Sequence, residues 1–169
     1  MNTSLSRVGE KKRCIFLIGT FHGYQMNMPG WNKMCGAPLF EQHICRIISE
    51  QRVDYLFEEL NVDALTDIFG RHKSWLEVIA RQTTISHKFI DPGNKERLRI
   101  GIRPGEECTP EGIEKREYYW LERVRECEFF TAICVIGAKH IENVSARLSR
   151  EYACTIINAC YDPKNIKKQ

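Results

Sequence analysis

Histidines and carboxylates stand directly after several apolar segments of this sequence. They are His22, Glu58, Glu59, Asp91 and His140. Two imidazoles and one carboxylate make a suitable site for a divalent metal with open coordination positions. Such a metal would activate a water molecule and polarise a carbonyl. Without a metal, one histidine could act as a general base on water, with a carboxylate to orient it.

The motif Gly-x-x-His occurs twice, each time after an apolar run. It spans Gly19 to His22 in the first copy and Gly137 to His140 in the second. Glycine permits a sharp turn and a close backbone approach at a strand end, which would present the histidine at the edge of a sheet. A single histidine after a strand is often only a surface or hydrogen-bonded residue, so the functional interpretation depends on the pair.

Five apolar runs predict strands, and the segments between them predict helices. The predicted strands are 13–20, 53–57, 85–90, 132–137 and 153–159, and the predicted helices are 39–51, 61–69, 73–82, 109–127 and 141–151. This alternation predicts an α/β fold, a three-layer sandwich with a largely parallel central sheet flanked by helices. Ligands bind such sheets beyond the carboxyl ends of the strands, so the titratable residues above would share one edge.

The chain of 169 residues suits a single domain, with a core at about 13–160 and flexible ends at 1–12 and 163–169. Its formal net charge of +3 is too small for the broad basic face that binds nucleic acid through phosphates. No apolar run approaches the roughly 20 residues of a membrane helix, and the N-terminus lacks the pattern of a signal peptide. We therefore expect a cytoplasmic protein with neither a membrane nor a nucleic acid as partner.

The eight cysteines include no C-x-x-C pair. This spacing excludes the usual zinc knuckle and the thioredoxin-type redox pair. In a reducing cytosol, free cysteines behave as small apolar residues, so we expect them to be buried thiols.

Further residues of the predicted helix 109–127 and of the segment before it could contact a substrate. Arg116 and Trp120 lie four residues apart on that helix, so they share the side that packs on the sheet. An arginine there would pair with a carboxylate or a ligand oxyanion, or its stem would carry the charge out to solvent. Asp91 precedes a Pro-Gly pair, and it either starts a turn or belongs to the site. Arg97 is a weaker candidate.

The segment 21–36 predicts a lid or a ligand-binding loop, because it is long for a link between a strand and a helix. Its larger side chains suit an apolar or peptide-like ligand, and they include Tyr24, Met26, Met28, Trp31 and Met34. A partner interface or plain disorder gives the same composition. The remaining histidines are expected to be structural or solvated, and they are His43, His72 and His87.

Together the motifs resemble the TraB/Tiki group, in a superfamily that also contains the erythromycin esterases and the ChaN-like haem-binding lipoproteins. In this sequence they read LIGTFH, YLFEEL, REYYWLERV and VIGAKHIENVSARL. The order GT-x-H, EE, DP-x-x-x-ER, RE-x-x-W and G-A-x-H is most similar to that of small bacterial members. The resemblance covers roughly residues 14–158.

This resemblance implies hydrolysis of an acyl bond, since Tiki proteins are described as metal-dependent proteases and erythromycin esterases open a lactone with a histidine-centred site. It implies that His22 and His140 are metal ligands or bases. It further implies that Glu58 or Glu59 is the partner carboxylate and that Arg116 stabilises the developing charge.

Two functional hypotheses follow. The first is a metal-assisted hydrolase of an ester or amide (peptide-like) bond, with a Mn, Co, Zn or Fe ion held by His22, His140 and Glu58. Substrate contacts are predicted for Gly19, Tyr24, Trp31, Asp91, Arg97, Trp120 and Gly137. The alternative is a non-catalytic ligand-binding or signalling module for a small molecule, haem or peptide, or a subunit of a larger assembly. Both hypotheses allow a homo-oligomer or a partner protein.

Overall fold

The computed structural model describes residues 12–21 and 36–163. Its strands are β1 (Cys14–Thr20), β2 (Tyr55–Glu58), β3 (Ser86–Phe89), β4 (Thr131–Gly137) and β5 (Ala153–Asn158). They form one sheet in the order β3-β2-β4-β1-β5, and every neighbouring pair is parallel. The predicted α/β fold with a largely parallel sheet is confirmed.

Five α-helices flank the sheet within these ranges. They are α1 (Gly36–Gln51), α2 (Trp75–Gln82), α3 (Asn94–Arg99), α4 (Pro110–Arg125) and α5 (Ile141–Leu148). The predicted helix 61–69 contains a π-helical turn at Ala64–Ile68, and a 3₁₀ turn at Ala138–His140 links β4 to α5. Sequence analysis did not predict α3, because none of its residues is buried and it therefore carries no apolar stripe.

The two faces of the sheet pack on different helices. Ile15 and Leu17 of β1 pack with apolar residues of α4 and α5, whereas Ile18 packs with residues of α1 and α2. Successive side chains of a strand point to opposite faces, which explains the alternation. We call these surfaces the α4–α5 face and the α1–α2 face, and together they give the predicted three layers.

Helix α4 brings polar side chains onto the α4–α5 face of the sheet. It begins after Thr109, whose side-chain oxygen accepts a hydrogen bond from the backbone N–H of Gly112 at 3.1 Å, and Pro110 occupies its first position. The buried residues of the helix include two charged ones, Arg116 and Glu117. The cap and the apolar stripe fix the rotation of the helix, so these two side chains are directed at the strand ends.

Gly19 lies where β1 passes another segment of backbone very closely. A Cβ atom at this position would stand 2.0 Å from the carbonyl oxygen of Ala159 and 2.7 Å from Cγ1 of Ile141. The backbone N–H of Tyr161 also donates to the carbonyl oxygen of Gly19 at 2.6 Å. The expected close backbone approach therefore exists at this glycine.

We expect Gly19→Ala to lower the free energy of unfolding by about 3 kcal/mol or more, the upper part of the range for overpacking, because the new methyl group meets backbone that cannot rotate away. Urea unfolding measures the loss. In the control Gly70→Ala the added Cβ meets nothing within 4 Å, so its cost is only that of a positive φ, about 1 kcal/mol. Equal losses for the two variants would show that the close approach is absent.

His43 of α1 is a buried histidine on the α1–α2 face, and its Nε2 lies 2.7 Å from Oδ1 of Asn158. Burial lowers the pKa of His43 from its ordinary value of 6.5, although the bond to Asn158 opposes this. The unfolded chain therefore binds a proton at this histidine at a higher pH than the folded chain does. The contribution of neutral His43 to the free energy of unfolding is complete above about pH 6.5 and decreases below it.

We accordingly expect the wild type to lose more stability than His43→Gln when the pH is lowered from about 7 to about 5. Urea unfolding at both pH values gives the two differences. If the two proteins lose the same amount, His43 is not held in its neutral form by burial.

The seven cysteines in the described ranges are all free, as expected. Burial is confirmed for Cys127 and Cys134, but it is wrong for Cys108 and Cys160, which are exposed. Burial raises the pKa of the Cys134 thiol, which keeps it protonated and unreactive. None of the helices in these ranges is long and apolar enough to cross a membrane.

Candidate functional site

Buried charged side chains meet at the carboxyl ends of β2, β3 and β4. We call this group the His140 cluster, and its members are Glu59, Asp91, Arg116, Glu117 and His140. Each is at most 8% exposed. Two members follow β2 and β3, two come from α4, and one ends the 3₁₀ turn after β4. The parallel sheet thus brings together groups that are far apart in the sequence.

The imidazole of His140 is held by carboxylates. Its Nδ1 lies 2.8 Å from Oε1 of Glu117, and its Nε2 lies 3.5 Å from Oε1 of Glu59. The Nε2 atom is buried and has no hydrogen-bond partner in the described part of the chain. A carboxylate at Nδ1 favours the tautomer that carries the proton there, which leaves the lone pair of Nε2 available.

Glu59 is fixed from two sides. Its Oε1 accepts a hydrogen bond from Nη2 of Arg116 at 2.8 Å, and its Oε2 accepts one from the backbone N–H of Gly137 at 2.5 Å. A Cβ atom at Gly137 would stand 3.1 Å from Oε2 of Glu59 and 3.4 Å from Cδ2 of His140. The glycine of the second Gly-x-x-His motif therefore lets Glu59 and His140 approach the backbone.

Asp91 accepts hydrogen bonds from four side chains. Its Oδ1 accepts hydrogen bonds from Nε of Arg116 at 2.7 Å and from Nε1 of Trp120 at 3.1 Å. Its Oδ2 accepts them from the side chains of Asn61 and Arg97, both at 2.9 Å. The structure therefore places the predicted substrate contacts Asp91, Arg97 and Trp120 in one network.

Arg116 neutralises two of these carboxylates. Burial lowers the pKa of its guanidinium, but the nearby Asp91 and Glu59 raise it by more, so the net shift is upward. Its Nε and Nη2 atoms donate to carboxylates rather than into open space. In this arrangement Arg116 orients Glu59 and Asp91, while contact with a substrate oxyanion stays a prediction.

Glu58 and Glu59 are separated by the sheet, because neighbouring side chains of a strand point to opposite faces. On the α1–α2 side, Oε2 of Glu58 accepts a hydrogen bond from Oγ of Ser74 at 2.6 Å and lies 2.9 Å from Nε2 of His87. The structure therefore joins Glu59 to His140, and it joins the predicted metal ligand Glu58 to His87. The sequence pattern alone left this choice open.

Several predicted site residues lie outside the described residues. They are His22, Tyr24 and Trp31. Gly19 lies at the end of β1, where its nearest neighbours are Ala159 and Ile141. The seven predicted residues that meet in or directly around the His140 cluster are Glu59, Asp91, Arg97, Arg116, Trp120, Gly137 and His140.

The described side chains do not form a metal site by themselves. In residues 12–21 and 36–163, no group of three or more His, Cys, Asp or Glu side chains is arranged to hold a metal ion. In the His140 cluster the oxygens of Glu59 are engaged by Arg116 and Gly137. This leaves Nε2 of His140 as the atom whose lone pair could bind a metal. A divalent metal here would need ligands from the remaining chain, where the predicted ligand His22 lies.

Glu117 is the member of the cluster that sequence reasoning missed. A signal for it exists in the sequence, since Glu117 is three or four residues from Ile113, Trp120 and Leu121 and so shares their stripe of α4. A carboxylate in the buried stripe of a helix needs a partner in the core. That partner is His140, at 2.8 Å.

A groove of about 660 Å³ runs beside β3, at the edge of the sheet. Residues His87, Lys88 and Phe89 of this strand line it, together with Asp91 of the His140 cluster. His87, which was expected to be structural or solvated, lies 2.9 Å from the buried Glu58 carboxylate and also lines this groove. The groove therefore borders the His140 cluster at Asp91, and it borders the buried Glu58 through His87.

Comparisons of the chain with protein-family models, with curated proteins and with solved structures give no significant match. A functional proposal for this protein must therefore rest on its own side-chain geometry. The most specific element of that geometry is the Glu117–His140 pair, in which Nε2 of His140 has no hydrogen-bond partner among the described residues.

Proposed function

We propose that this protein hydrolyses an ester or amide bond, with His140 as the general base for the attacking water. The observation that carries the proposal is the difference between the contacts of the two ring nitrogens of His140. Nδ1 lies 2.8 Å from the Glu117 carboxylate, whereas the buried Nε2 has no hydrogen-bond partner among the described residues. A buried nitrogen without a partner is costly, and a catalytic role is one of the reasons for which a folded protein retains such an atom.

The proposed step uses the two ring nitrogens differently. Nδ1–H donates to Glu117, so the lone pair of Nε2 accepts a proton from water as the water oxygen attacks the acyl carbon. The imidazolium that forms is stabilised by Glu117 at Nδ1 and by Glu59, 3.5 Å from Nε2. His140 then returns the proton to the departing alcohol or amine.

Arg116 acts in this proposal as a positioning residue. It fixes the carboxylates of Glu59 and Asp91, so Glu59 does not rotate to pair with the neutral imidazole. Its positive charge also offsets part of the negative charge of the buried cluster.

A divalent metal remains part of the proposal as a Lewis acid that would lower the pKa of bound water. In the His140 cluster, Nε2 of His140 is the atom that would bind it, and His22 is the further ligand predicted from the sequence. Every step above is carried by residues of the chain alone.

The motif order supports the proposal that the chain is a distant relative of the TraB/Tiki-like hydrolases, most similar to their small bacterial members. Its positions at Glu59, Arg116, Gly137 and His140 lie next to one another in space. The free cysteines support a reducing compartment, so we place the protein in the cytoplasm.

A non-catalytic ligand-binding module is the second candidate, favoured by the groove of about 660 Å³ that reaches Asp91. It predicts that a small molecule, haem or peptide stays bound without turnover. A compound that purifies with the protein and leaves unchanged after incubation would favour this candidate.

The experiment that tests the hydrolase is a substrate panel. Purified protein is assayed with p-nitrophenyl esters, lactones and fluorogenic peptide amides, before and after addition of Mn, Co, Zn or Fe salts, with metal analysis of the same sample. We expect hydrolysis of at least one class. Absence of turnover from every class, with and without metal, contradicts the proposal.

A further inference from the structure

The outer edge of β3 is unpaired. β3 ends the strand order, and in residues 12–21 and 36–163 no strand lies on its other side. The backbone N–H groups of Ser86 and Ile90 donate to carbonyl oxygens on the β2 side, at 3.1 and 2.9 Å. Because alternate residues of a parallel strand direct their backbone groups to opposite sides, the N–H and C=O groups of His87 and Phe89 point outward.

The groove follows this open edge. His87, Lys88 and Phe89 line it, with His72 on one side and Tyr119 on the other. β3 contains no proline and pairs with β2 without a bulge, so two common obstacles to edge pairing are absent from this strand. The groove has a volume of about 660 Å³, which accommodates several residues of extended chain.

His87 is held rigidly at this edge. Its Nε2 lies 2.9 Å from the buried Glu58 carboxylate, and its ring packs edge-to-face on Phe89 with 4.7 Å between centroids. A rigid edge loses little conformational entropy when a ligand binds.

Two carboxylates converge at one end of the groove. A Cβ atom at Gly93 would stand 2.8 Å from Oδ2 of Asp63 and 2.9 Å from Oε2 of Glu96. Both acidic residues line the groove. Oδ2 of Asp63 accepts a hydrogen bond from the backbone N–H of Asn94 at 2.6 Å, and within the described ranges neither residue forms an ion pair. A cationic side chain is the charge that complements this end of the groove.

We propose that the groove binds an extended peptide segment, which pairs as an added strand with His87 and Phe89 and places a lysine or arginine side chain at Asp63 and Glu96. Main-chain hydrogen bonds supply the affinity of such strand addition, and side-chain contacts supply its selectivity. This binding does not require the proposed hydrolysis at His140, and it is measured without turnover.

The probe is the fluorescein-labelled peptide Thr-Val-Thr-Arg-Thr-Val-Thr, and the readout is fluorescence anisotropy. We expect it to bind at least about tenfold more tightly than the same peptide with glutamate in place of arginine. Two further probes carry N-methyl groups on either the odd or the even residues. Only the N-methyl groups on the residues that face β3 should weaken binding, by about tenfold, because they replace the N–H groups that would pair with the edge.

Matched protein variants test the carboxylates. Asp63→Asn and Glu96→Gln should each weaken binding of the arginine probe by about fivefold or more. Neither variant should weaken binding of the glutamate probe. Glu142→Gln, which alters an exposed carboxylate on α5, should leave both probes unchanged.

Amide hydrogen exchange locates the bound peptide. The amides of His87 and Phe89 should exchange quickly in the free protein and slowly with the arginine probe. The proposal is overturned if the arginine probe does not bind, or if both N-methylated probes bind like the parent peptide. Slow exchange of both amides in the free protein also overturns it, because another segment or a second copy would already cover the edge.

Discussion

Replacing His140 with glutamine is expected to lower kcat/KM for the best substrate of the panel by about 10²-fold or more, the usual contribution of a general base. The loss should appear in kcat rather than in KM, since the Nε2 lone pair acts on water and not on the bound substrate. Initial rates measured over a range of substrate concentrations separate the two parameters.

The matched control is His43→Gln. His43 is also buried, but it lies on the opposite face of the sheet and contacts Asn158 rather than a carboxylate. We expect this variant to keep the wild-type rate at neutral pH. Glu117→Gln, which keeps a hydrogen-bond acceptor for Nδ1 but removes its charge, should lower kcat by at least about tenfold. A folded His140→Gln protein with the wild-type rate would contradict the mechanism.

Replacing Asp91 with alanine is expected to lower the free energy of unfolding by about 3–5 kcal/mol, the cost of removing one partner of a buried ion pair. The change leaves Nε of Arg116 and Nε1 of Trp120 without their acceptor, and it removes one of the two acceptors of the Asn61 amide. The total stability of a domain is only about 5–15 kcal/mol, so the transition in urea should move far toward lower concentration.

Two comparisons separate this effect from the loss of any carboxylate. Asp67→Ala alters an exposed residue whose carboxylate accepts a hydrogen bond from Thr66, and it should change stability by no more than about 0.5 kcal/mol. Arg116→Met should cost less in the Asp91→Ala protein than in the wild type, because its partner is already absent. Additive losses, or a loss of less than about 1 kcal/mol for Asp91→Ala, would show that the pair does not stabilise the fold.

The fold class could be predicted because each buried strand is a short apolar run that can be recognised in the sequence by itself. The apolar run 132–137 is buried on both faces, and such runs are typical of parallel sheets. Helix α3 could not be found in the same way, since Asn94–Arg99 buries no side chain. The order of the strands also depends on contacts between distant segments, so no single apolar run contains it.

The candidate site could be predicted only in part. The positions of Arg116 and His140 follow from a helix stripe and a strand end, and both lie in the cluster. The choice between Glu58 and Glu59 depends on which face each residue takes, and that requires the register of β2 against β4. Glu117 was not singled out from the sequence, although its spacing from Trp120 places it on the buried side of α4.

The proposed mechanism requires that His140 presents a lone pair at Nε2. Long-range ¹⁵N–¹H correlation NMR of the imidazole, recorded on the wild-type protein at neutral pH, reports which ring nitrogen carries the proton. We expect a proton on Nδ1, toward Glu117, and none on Nε2. A neutral ring with its proton on Nε2 would contradict it, since that nitrogen would then donate toward Glu59 and could not accept a proton from water.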